Sequence, residues 1–372
     1  MKQSDDKIKI LEISSYPPPR AGWGMRVYFL KKELEKDGHI CTVLNTGKSR
    51  KMRGKDFVPV FNGLDYVFKV FKYRLKGFTV HMHLNGDSPK GFVLTCIALA
   101  ISLLTFHRPV ITFHAGPIQK YFPKSKAPHL TMMYKFIFTV PRHIICNNEA
   151  VKQAIMSYRI SGDKIIPIQA FSVQYLEFEE KCLNDRVEAF FLQYPNIICS
   201  YVFFRPEFFI EDMIHAMAKL RSHRNDVGLL IMGSDMGSEK IRELIASLGL
   251  EDHVLIAGDQ DHDSFLTILQ RSKIYLRTPV KDGVSSSVLE ALALGTPVVA
   301  SENGSRPPSV VTYESRNVED MVQKLMYVLD HHEELKRAIV KPEIKDTVQD
   351  EIAVLANRAV TRTEKAQHSL AA

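Results

Sequence analysis

The sequence predicts an α/β protein built as two Rossmann-like domains in tandem, facing each other across a deep cleft. Three observations carry this expectation. Short β-rich runs alternate with helical stretches from end to end, the pattern of parallel sheets covered by helices on both faces. The alternation restarts near residue 197, after a mixed stretch at 172–194 without a clear strand. The length of 372 residues suits two domains, and 45% hydrophobic residues can fill a core in each.

The elements follow in order. Strands are expected at 8–15, 40–45, 78–85, 110–115, 144–147 and 164–168, with helices at 23–36, 90–104, 130–138 and 149–158 between them. The second half repeats the scheme, with strands at 197–203, 227–232, 253–257, 273–276 and 297–300 and helices at 207–220, 238–248, 263–270 and 286–294. The expected division is a first domain at 1–171, a junction at 172–195, a second domain at 196–345 and a helical tail at 346–372. The most apolar segment, Gly91–Phe106, would span about 24 Å as a helix, short of a hydrocarbon core of ~30 Å, so a buried helix is expected there.

Composition narrows the function classes. Charged residues at 24% and aromatics at 9% exclude a wholly disordered chain. The five cysteines, at 41, 96, 146, 182 and 199, show no paired spacing, which disfavours a disulfide framework or a cysteine-based zinc module. The first residues, Met1 to Asp6, carry no apolar leader, and a cytoplasmic location is expected. Charge is uneven: residues 1–200 hold 29 Lys and Arg against 16 Asp and Glu, whereas residues 201–372 hold 20 against 26. A basic front and a slightly acidic back point to an anionic partner for the front half alone. No nucleic-acid-binding module accompanies that charge.

Three constellations sit where strands run out, the edge at which such sheets bind ligands. The first runs from Ile13 through Tyr16, Pro17, Pro18 and Pro19 to Gly22, Trp23, Gly24 and Arg26. Its glycines permit close ligand approach, and the helix that follows can turn N–H groups toward an anion. Val27 stands where a dinucleotide fingerprint requires glycine, which disfavours an oxidoreductase. The lone Trp23 is expected to line a groove. The second constellation is His114 with Gly116, directly after a strand, where an imidazole can bond a substrate hydroxyl or phosphate.

The third runs from Asp282 through Gly283, Val284, Ser285, Ser286 and Ser287 to Glu290. Serines opening a helix form a cradle for phosphate oxygens. The two acids beside it suit hydroxyl groups, gripped through charge-assisted bonds. Phosphates flanked by polyols describe a nucleotide sugar.

Over roughly residues 8–330 these features resemble retaining glycosyltransferase family 4, whose two domains form the GT-B fold, of the exopolysaccharide or lipopolysaccharide sugar-transferase type. Asp282 and Glu290 match the two acids of the family's E-x(7)-E region, with Asp in place of the first Glu. Gly295 to Ser301 is family-like, Tyr16 to Gly22 resembles the front glycine loop, His114 matches a donor-contacting histidine, and Val254–Gly258 resembles the strand before the base-binding loop.

The resemblance implies catalytic roles for His114 and Asp282. It implies a donor site from Gly22, Gly24, Arg205, Gly258, Arg277, Gly283, Val284, Ser285, Ser286, Ser287 and Glu290. It also implies an acceptor-side first domain, a nucleotide-sugar-binding second domain, and transfer from a UDP- or GDP-sugar with retention of configuration. The acceptor would be lipid-linked or a glycan, in surface polysaccharide or glycoconjugate synthesis. One departure stands out: Phe203 and Phe208 occupy positions where the family carries the Arg and Lys that hold the diphosphate. Arg205, Arg277, Arg306 or backbone N–H groups would have to replace them. That substitution leaves open a non-catalytic nucleotide-sugar or phospho-ligand binder.

No essential metal or other cofactor is expected, since Asp261 and Asp263 read as the cap of a helix. Two basic clusters, Lys48 to Lys55 and Lys69, Lys72, Arg74 and Lys76 interleaved with aromatics, suggest peripheral attachment to an anionic membrane surface, at the inner face of the plasma membrane. Trp23, Arg26, Lys69, Lys72, Arg74 and Lys76 are expected on that acceptor or membrane side.

Overall fold

The structure is a computed structural model that describes residues 7–18, 23–116, 119–280 and 285–358. The chain divides into two compact units. The first runs to Gln174 and takes the chain back from Lys345 onward; the second spans Tyr175–Ile344.

The first unit contains β1 (Lys9–Ser14), α1 (Trp23–Lys36), β2 (Ile40–Asn45), α2 (Gly63–Leu75), β3 (Thr79–Leu84), α3 (Pro89–Leu104), β4 (Val110–Phe113), α4 (Thr131–Thr139), β5 (His143–Cys146), α5 (Glu149–Met156) and β6 (Ile165–Pro167). Its strands form a parallel sheet ordered β2-β1-β3-β4-β5-β6.

Strand side chains alternate between faces, so two periodic sets emerge. Leu11, Ile13, Val80, Met82, Leu84, Ile111 and Phe113 pack with Tyr66, Leu99 and Phe138 from the helices into an apolar core. The opposite set carries Glu12, His81, His83 and Thr112, all buried. The register puts Glu12 beside His81 and His83 beside Thr112. This sheet is therefore oily on one face and polar on the other.

The second unit contains α6 (Asp185–Gln193), β7 (Asn196–Tyr201), α7 (Ile210–His223), β8 (Val227–Met232), α8 (Glu239–Ser247), β9 (Val254–Gly258), α9 (His262–Arg271), β10 (Ile274–Arg277), α10 (Ser286–Leu294), β11 (Val298–Ser301), β12 (Val310–Tyr313), α11 (Val318–Asp330) and α12 (His332–Ala338). The parallel order is β12-β11-β10-β7-β8-β9. Here both faces are apolar. Ile198, Leu229, Ile231 and Leu276 pack with Met213, Met217, Ile241 and Leu325 on one side. Cys199, Leu230, Met232 and Tyr275 pack with Phe190, Leu266, Val288 and Ala291 on the other.

The last described helix, α13 (Thr347–Leu355), belongs to the first unit and lies against α1, so the described start of the expected tail folds back onto that unit. Four elements were not expected: α2, α6, β12 and α11. α2 was hidden because its side chains invert the usual pattern. Asn62 caps it by accepting the Asp65 N–H, yet Leu64, Phe68, Phe71 and Leu75 point outward. The expected helix at 207–220 begins instead at Ile210. A short turn at Pro206–Phe208 precedes it, and Phe209 adopts the left-handed region at φ 47°. The apolar segment at 91–106 forms α3, and no described helix is long and apolar enough to cross a membrane.

Candidate functional site

In the first unit the residues at the ends of β1, β3 and β4 gather around His114. Its backbone N–H extends the ladder by donating to Leu84 O at 2.8 Å. The ring has two aromatic neighbours: the Trp23 indole lies 5.0 Å away at a 51° tilt, and the His83 imidazole stacks at 5.1 Å and 12°. Trp23, at the start of α1, thus joins the first constellation to the second. Gly24 lies inside α1, where a Cβ would touch Ser15 at 3.5 Å; it lets the helix approach β1 and makes no left-handed turn. Gly22 lies outside the described residues.

Behind His114 runs a buried polar chain. His83 Nδ1 meets His114 Nε2 at 2.8 Å, and His83 Nε2 meets Glu12 Oε2 at 2.8 Å. Glu12 Oε1 meets His81 Nδ1 at 2.9 Å, and His81 Nε2 meets the Thr112 hydroxyl at 2.8 Å. Thr112 donates to Glu351 Oε1 at 2.8 Å, and Glu351 Oε2 accepts from Arg26 Nε at 2.6 Å. Arg26 also donates to the Thr347 hydroxyl at 2.8 Å.

Burial alone would raise the acids, but His81 and His83 hold Glu12 below the ordinary carboxylate range, and Arg26 and the histidines hold Glu351 well below it. Burial and the neighbouring His81 lower His83, and burial and His83 lower His114 strongly. For His81 the pull of burial is overcome by Glu12 and Glu351, and it is raised.

Glu12, His81, His83 and Glu351 were not anticipated from sequence. The available signal was one carboxylate inside an apolar strand and two histidines spaced by two, which share a face. Glu12, His81 and His83 also carry ligand atoms close enough together for a metal ion. Their facing atoms are already paired with one another at 2.8–2.9 Å.

The second unit provides the other set. α10 opens with Ser286 just past β10, and Ser285 sits at its cap. The Ser285 and Ser287 hydroxyls lie 2.8 Å apart, and Tyr275 OH donates to Ser287 at 2.6 Å. Glu290, one turn further in, is 5% exposed, and no ion pair to a described residue holds its carboxylate. Burial pushes it up to about 8. Asp282, Gly283 and Val284 lie outside the described residues.

Gly258 ends β9 at φ 75°. Gly233, not anticipated, ends β8 at φ 129°, where a Cβ would lie 2.0 Å from Val202 O, so only glycine fits the close approach of these two loops. Asp261 caps α9 by accepting the Ser264 N–H, as expected.

The two phenylalanines turn out to be platforms. The Phe203 and Phe208 rings meet edge to face at 5.5 Å. The Arg205 guanidinium lies over Phe203 at 5.4 Å and the Arg277 guanidinium over Phe208 at 5.2 Å. Arg277 also donates to Tyr201 O at 3.0 Å. Arg306 is bound to the backbone, donating to Ser301 O at 3.0 Å and Pro279 O at 2.6 Å.

Two residues expected on the membrane side are not there. Arg26 is 2% exposed and paired with Glu351, because α13 covers it. Arg74 is 3% exposed and donates to Phe78 O and to the Thr105 hydroxyl, tying α2 to α3. Lys69 pairs with Asp65 at 2.7 Å. Lys72 and Lys76 are exposed.

Two doubly wound parallel units in tandem define the GT-B fold. Comparison with known proteins agrees. The structure is similar over 94% of its length to all of Anabaena HepE solved with UDP, at a TM-score of 0.67 and 13% identity. Residues 184–342, within the second unit, match the model of the family described as glycosyl transferases group 1. An uncharacterized glycosyltransferase of Methanocaldococcus jannaschii is 24% identical over 221 residues, 57% of this chain and 52% of the relative, so the match spans about half of that protein. The alpha-monoglucosyldiacylglycerol synthase of Streptococcus pneumoniae is 22% identical over 313 residues, 78% of this chain and 70% of that one.

Proposed function

We propose that this protein is a retaining glycosyltransferase that moves a sugar from a nucleoside-diphosphate donor, a UDP- or GDP-sugar, to a lipid-linked or glycan acceptor. The observation that carries the reading is the coincidence, in the second unit, of the group 1 family match with a serine-opened helix and the buried Glu290. On this reading the first N–H groups of α10, with Ser285, Ser286 and Ser287, take phosphate oxygens. Glu290 grips the ribose, and Asp282 and His114 serve the transferred sugar.

Arg205 and Arg277, seated on Phe203 and Phe208, supply the positive charge that the family places in the side chains at those two positions. They stabilise the departing diphosphate, which takes the proton of the attacking hydroxyl on the same face. No metal or cofactor enters this scheme.

The test is a donor screen by calorimetry with UDP- and GDP-sugars, followed by product mass. Donor-dependent release of the nucleoside diphosphate with a glycosylated product supports the reading. Tight binding without turnover would make the chain a nucleotide-sugar binder instead.

An anionic membrane surface is the partner proposed for the first unit. Of eighteen exposed large hydrophobic residues among those described, ten lie on or beside α2 and α3: Phe61, Leu64, Val67, Phe68, Phe71, Leu75, Val93, Leu103, Leu104 and Phe106. The Arg74–Thr105 bond joins the C-terminal ends of the two helices, so Leu75 and the 103–106 cluster share one end. Exposed Lys72 and Lys76 border this surface, and Lys48, Lys51, Arg53 and Lys55 are exposed nearby in sequence. Apolar side chains bordered by lysines suit a bilayer of acidic lipids. The pneumococcal relative, by its name, glucosylates a diacylglycerol, which favours a lipid acceptor. Co-sedimentation with phosphatidylglycerol vesicles, lost in a Phe68→Ser, Leu75→Ser, Lys72→Glu, Lys76→Glu variant, supports peripheral attachment. Equal binding to neutral vesicles refutes the electrostatic part.

A further inference from the structure

We propose that Glu12 and His83 are positioning residues that fix the tautomer of His114, so that its ring donates inward through Nε2 and offers Nδ1 as a hydrogen-bond acceptor. The donors and acceptors along the buried chain leave one place for each proton. Glu351 accepts from Arg26 Nε at one oxygen and from the Thr112 hydroxyl at the other. A hydroxyl has one proton, so Thr112, having donated it to Glu351, can only accept from His81 Nε2 at 2.8 Å. His81 also faces Glu12 Oε1 through Nδ1 at 2.9 Å, and a carboxylate only accepts. His81 therefore carries protons on both nitrogens.

The resulting cluster contains Arg26 and His81 as cations and Glu12 and Glu351 as anions. It is electrically neutral although every member is at most 2% exposed, which is the condition under which buried charges are tolerated.

The second oxygen of Glu12 sets the rest. It accepts from His83 Nε2 at 2.8 Å, so the proton of His83 is on Nε2. A second proton on His83 would place an imidazolium 4.3 Å, ring to ring, from the cationic His81, so His83 stays neutral and its Nδ1 is an acceptor. The 2.8 Å contact from His83 Nδ1 to His114 Nε2 then requires the proton on His114 Nε2. The neutral His114 ring keeps its lone pair on Nδ1, which makes no hydrogen bond to a described residue.

Among the described residues the groups facing the chain are Glu12 from β1, His81 and His83 from β3, Thr112 from β4, Arg26 from α1, and Thr347 and Glu351 from α13, with Cys41 of β2 near Glu12 and Asp350 of α13 near Arg26. The Trp23 indole lies 5.0 Å from the His114 ring.

The consequence concerns specificity. A histidine presenting Nδ1 as an acceptor selects a hydroxyl on the ligand and rejects groups that can only accept, such as a phosphate oxygen. Within the glycosyltransferase reading, on which this last step rests, His114 is matched to a donor-sugar hydroxyl and not to the diphosphate.

The experiment is nitrogen-15 NMR of the histidine rings in the full-length protein, with His114 assigned by loss of its signals in His114→Gln. The expected spectrum shows a neutral His114 protonated at Nε2 between pH 6 and pH 8. A ring protonated at Nδ1, or at both nitrogens, overturns the proposal.

Two variants at His83 add a functional readout with UDP-glucose as the probe. Gln can donate to Glu12 and accept from His114, whereas Phe fills the space and does neither. His83→Phe is expected to lower kcat/KM for donor turnover roughly 10–100-fold and to release the His114 tautomer. His83→Gln restores most of both. Equal behaviour of the two variants would mean that His83 is merely packing. Stoichiometric metal in the purified protein would mean that Glu12, His81 and His83 are ligands, and would likewise overturn the proposal. Absence of turnover in the wild type would count against the glycosyltransferase reading, while the tautomer spectrum would still decide the relay.

Discussion

Two buried carboxylates, one in each unit, behave in opposite ways. Glu351 is 1% exposed and Glu290 is 5% exposed, so burial acts on both. Glu351 is met by Arg26 at 2.6 Å, by Thr112 and by the charge of His81, and is held well below the ordinary carboxylate range. Glu290 has apolar neighbours in α10 and no ion pair to a described residue, and it is pushed up to about 8. Depth does not decide whether a buried acid is charged; the cation beside it does. The polar network of the first unit is complete in itself, and disturbing it disturbs the fold. Glu290 contributes no such internal bond, which fits a residue kept for a ligand.

The largest expected effect breaks the first half of this comparison. Arg26→Ala or Glu351→Ala leaves one buried charge without its partner and should cost about 3–5 kcal/mol of stability in urea denaturation. Glu290→Gln, read in the same experiment at pH 7, should cost nothing and is expected to stabilise, because the wild-type carboxyl must take up a proton on folding at that pH and Gln need not. Similar losses at the two sites would remove the distinction.

Next in size is the effect on ligand. Glu290→Ala should weaken UDP or GDP binding by roughly 1–3 kcal/mol in calorimetry if its hydrogen bonds to the nucleotide are lost. Unchanged affinity in the folded variant would remove the ribose role.

The pH dependence sharpens the same point. In the folded chain Glu290 keeps its proton up to about 8, whereas in the unfolded chain it ionises near the ordinary value of 4.5. Between these values the folded state binds the extra proton, so raising the pH favours unfolding at this site. The Gln variant has no such proton. It should gain on the wild type by about 2 kcal/mol between pH 6 and pH 8, at roughly 1.4 kcal/mol per pKa unit. A constant difference across that range would show that Glu290 is already ionised.

The smallest effect tests the aromatic platforms. Phe208→Leu keeps an apolar side chain but removes the ring beneath Arg277. Nucleotide affinity should fall by about 0.5–2 kcal/mol with little change in fold.

Much of this was legible in the chain. All strands of the two sheets except β12 lie within a residue or two of their expected positions, because buried parallel strands read as continuous apolar runs. His114 and the serine-opened helix were legible for a related reason: they follow strands, and the ends of strands are where such sheets bind ligands. Four elements escaped. α2 carries its large apolar side chains outward, which defeats a reading that assigns such residues to a core. β12 has only four residues, two of them half-buried, and α6 lies in the mixed stretch taken for a junction.

What the sequence determined by itself was local: where strands and helices form, where the repeat restarts, and which residues stand at the strand ends. These follow from side-chain period and backbone preference over a few neighbouring residues. What only the tertiary structure decided was partnership. Arg26 and Arg74 read as surface cations, yet one is buried against Glu351, 325 positions away, and the other bonds Thr105, 31 positions away. Glu12 meets His81 and His83 across 69 and 71 positions, and through them sets the proton on His114. The charge state of a buried group depends on which partners the fold brings within about 3 Å of it. Sequence spacing holds no record of that distance; the pairing of β1 with β3, and the return of α13 to α1, create it.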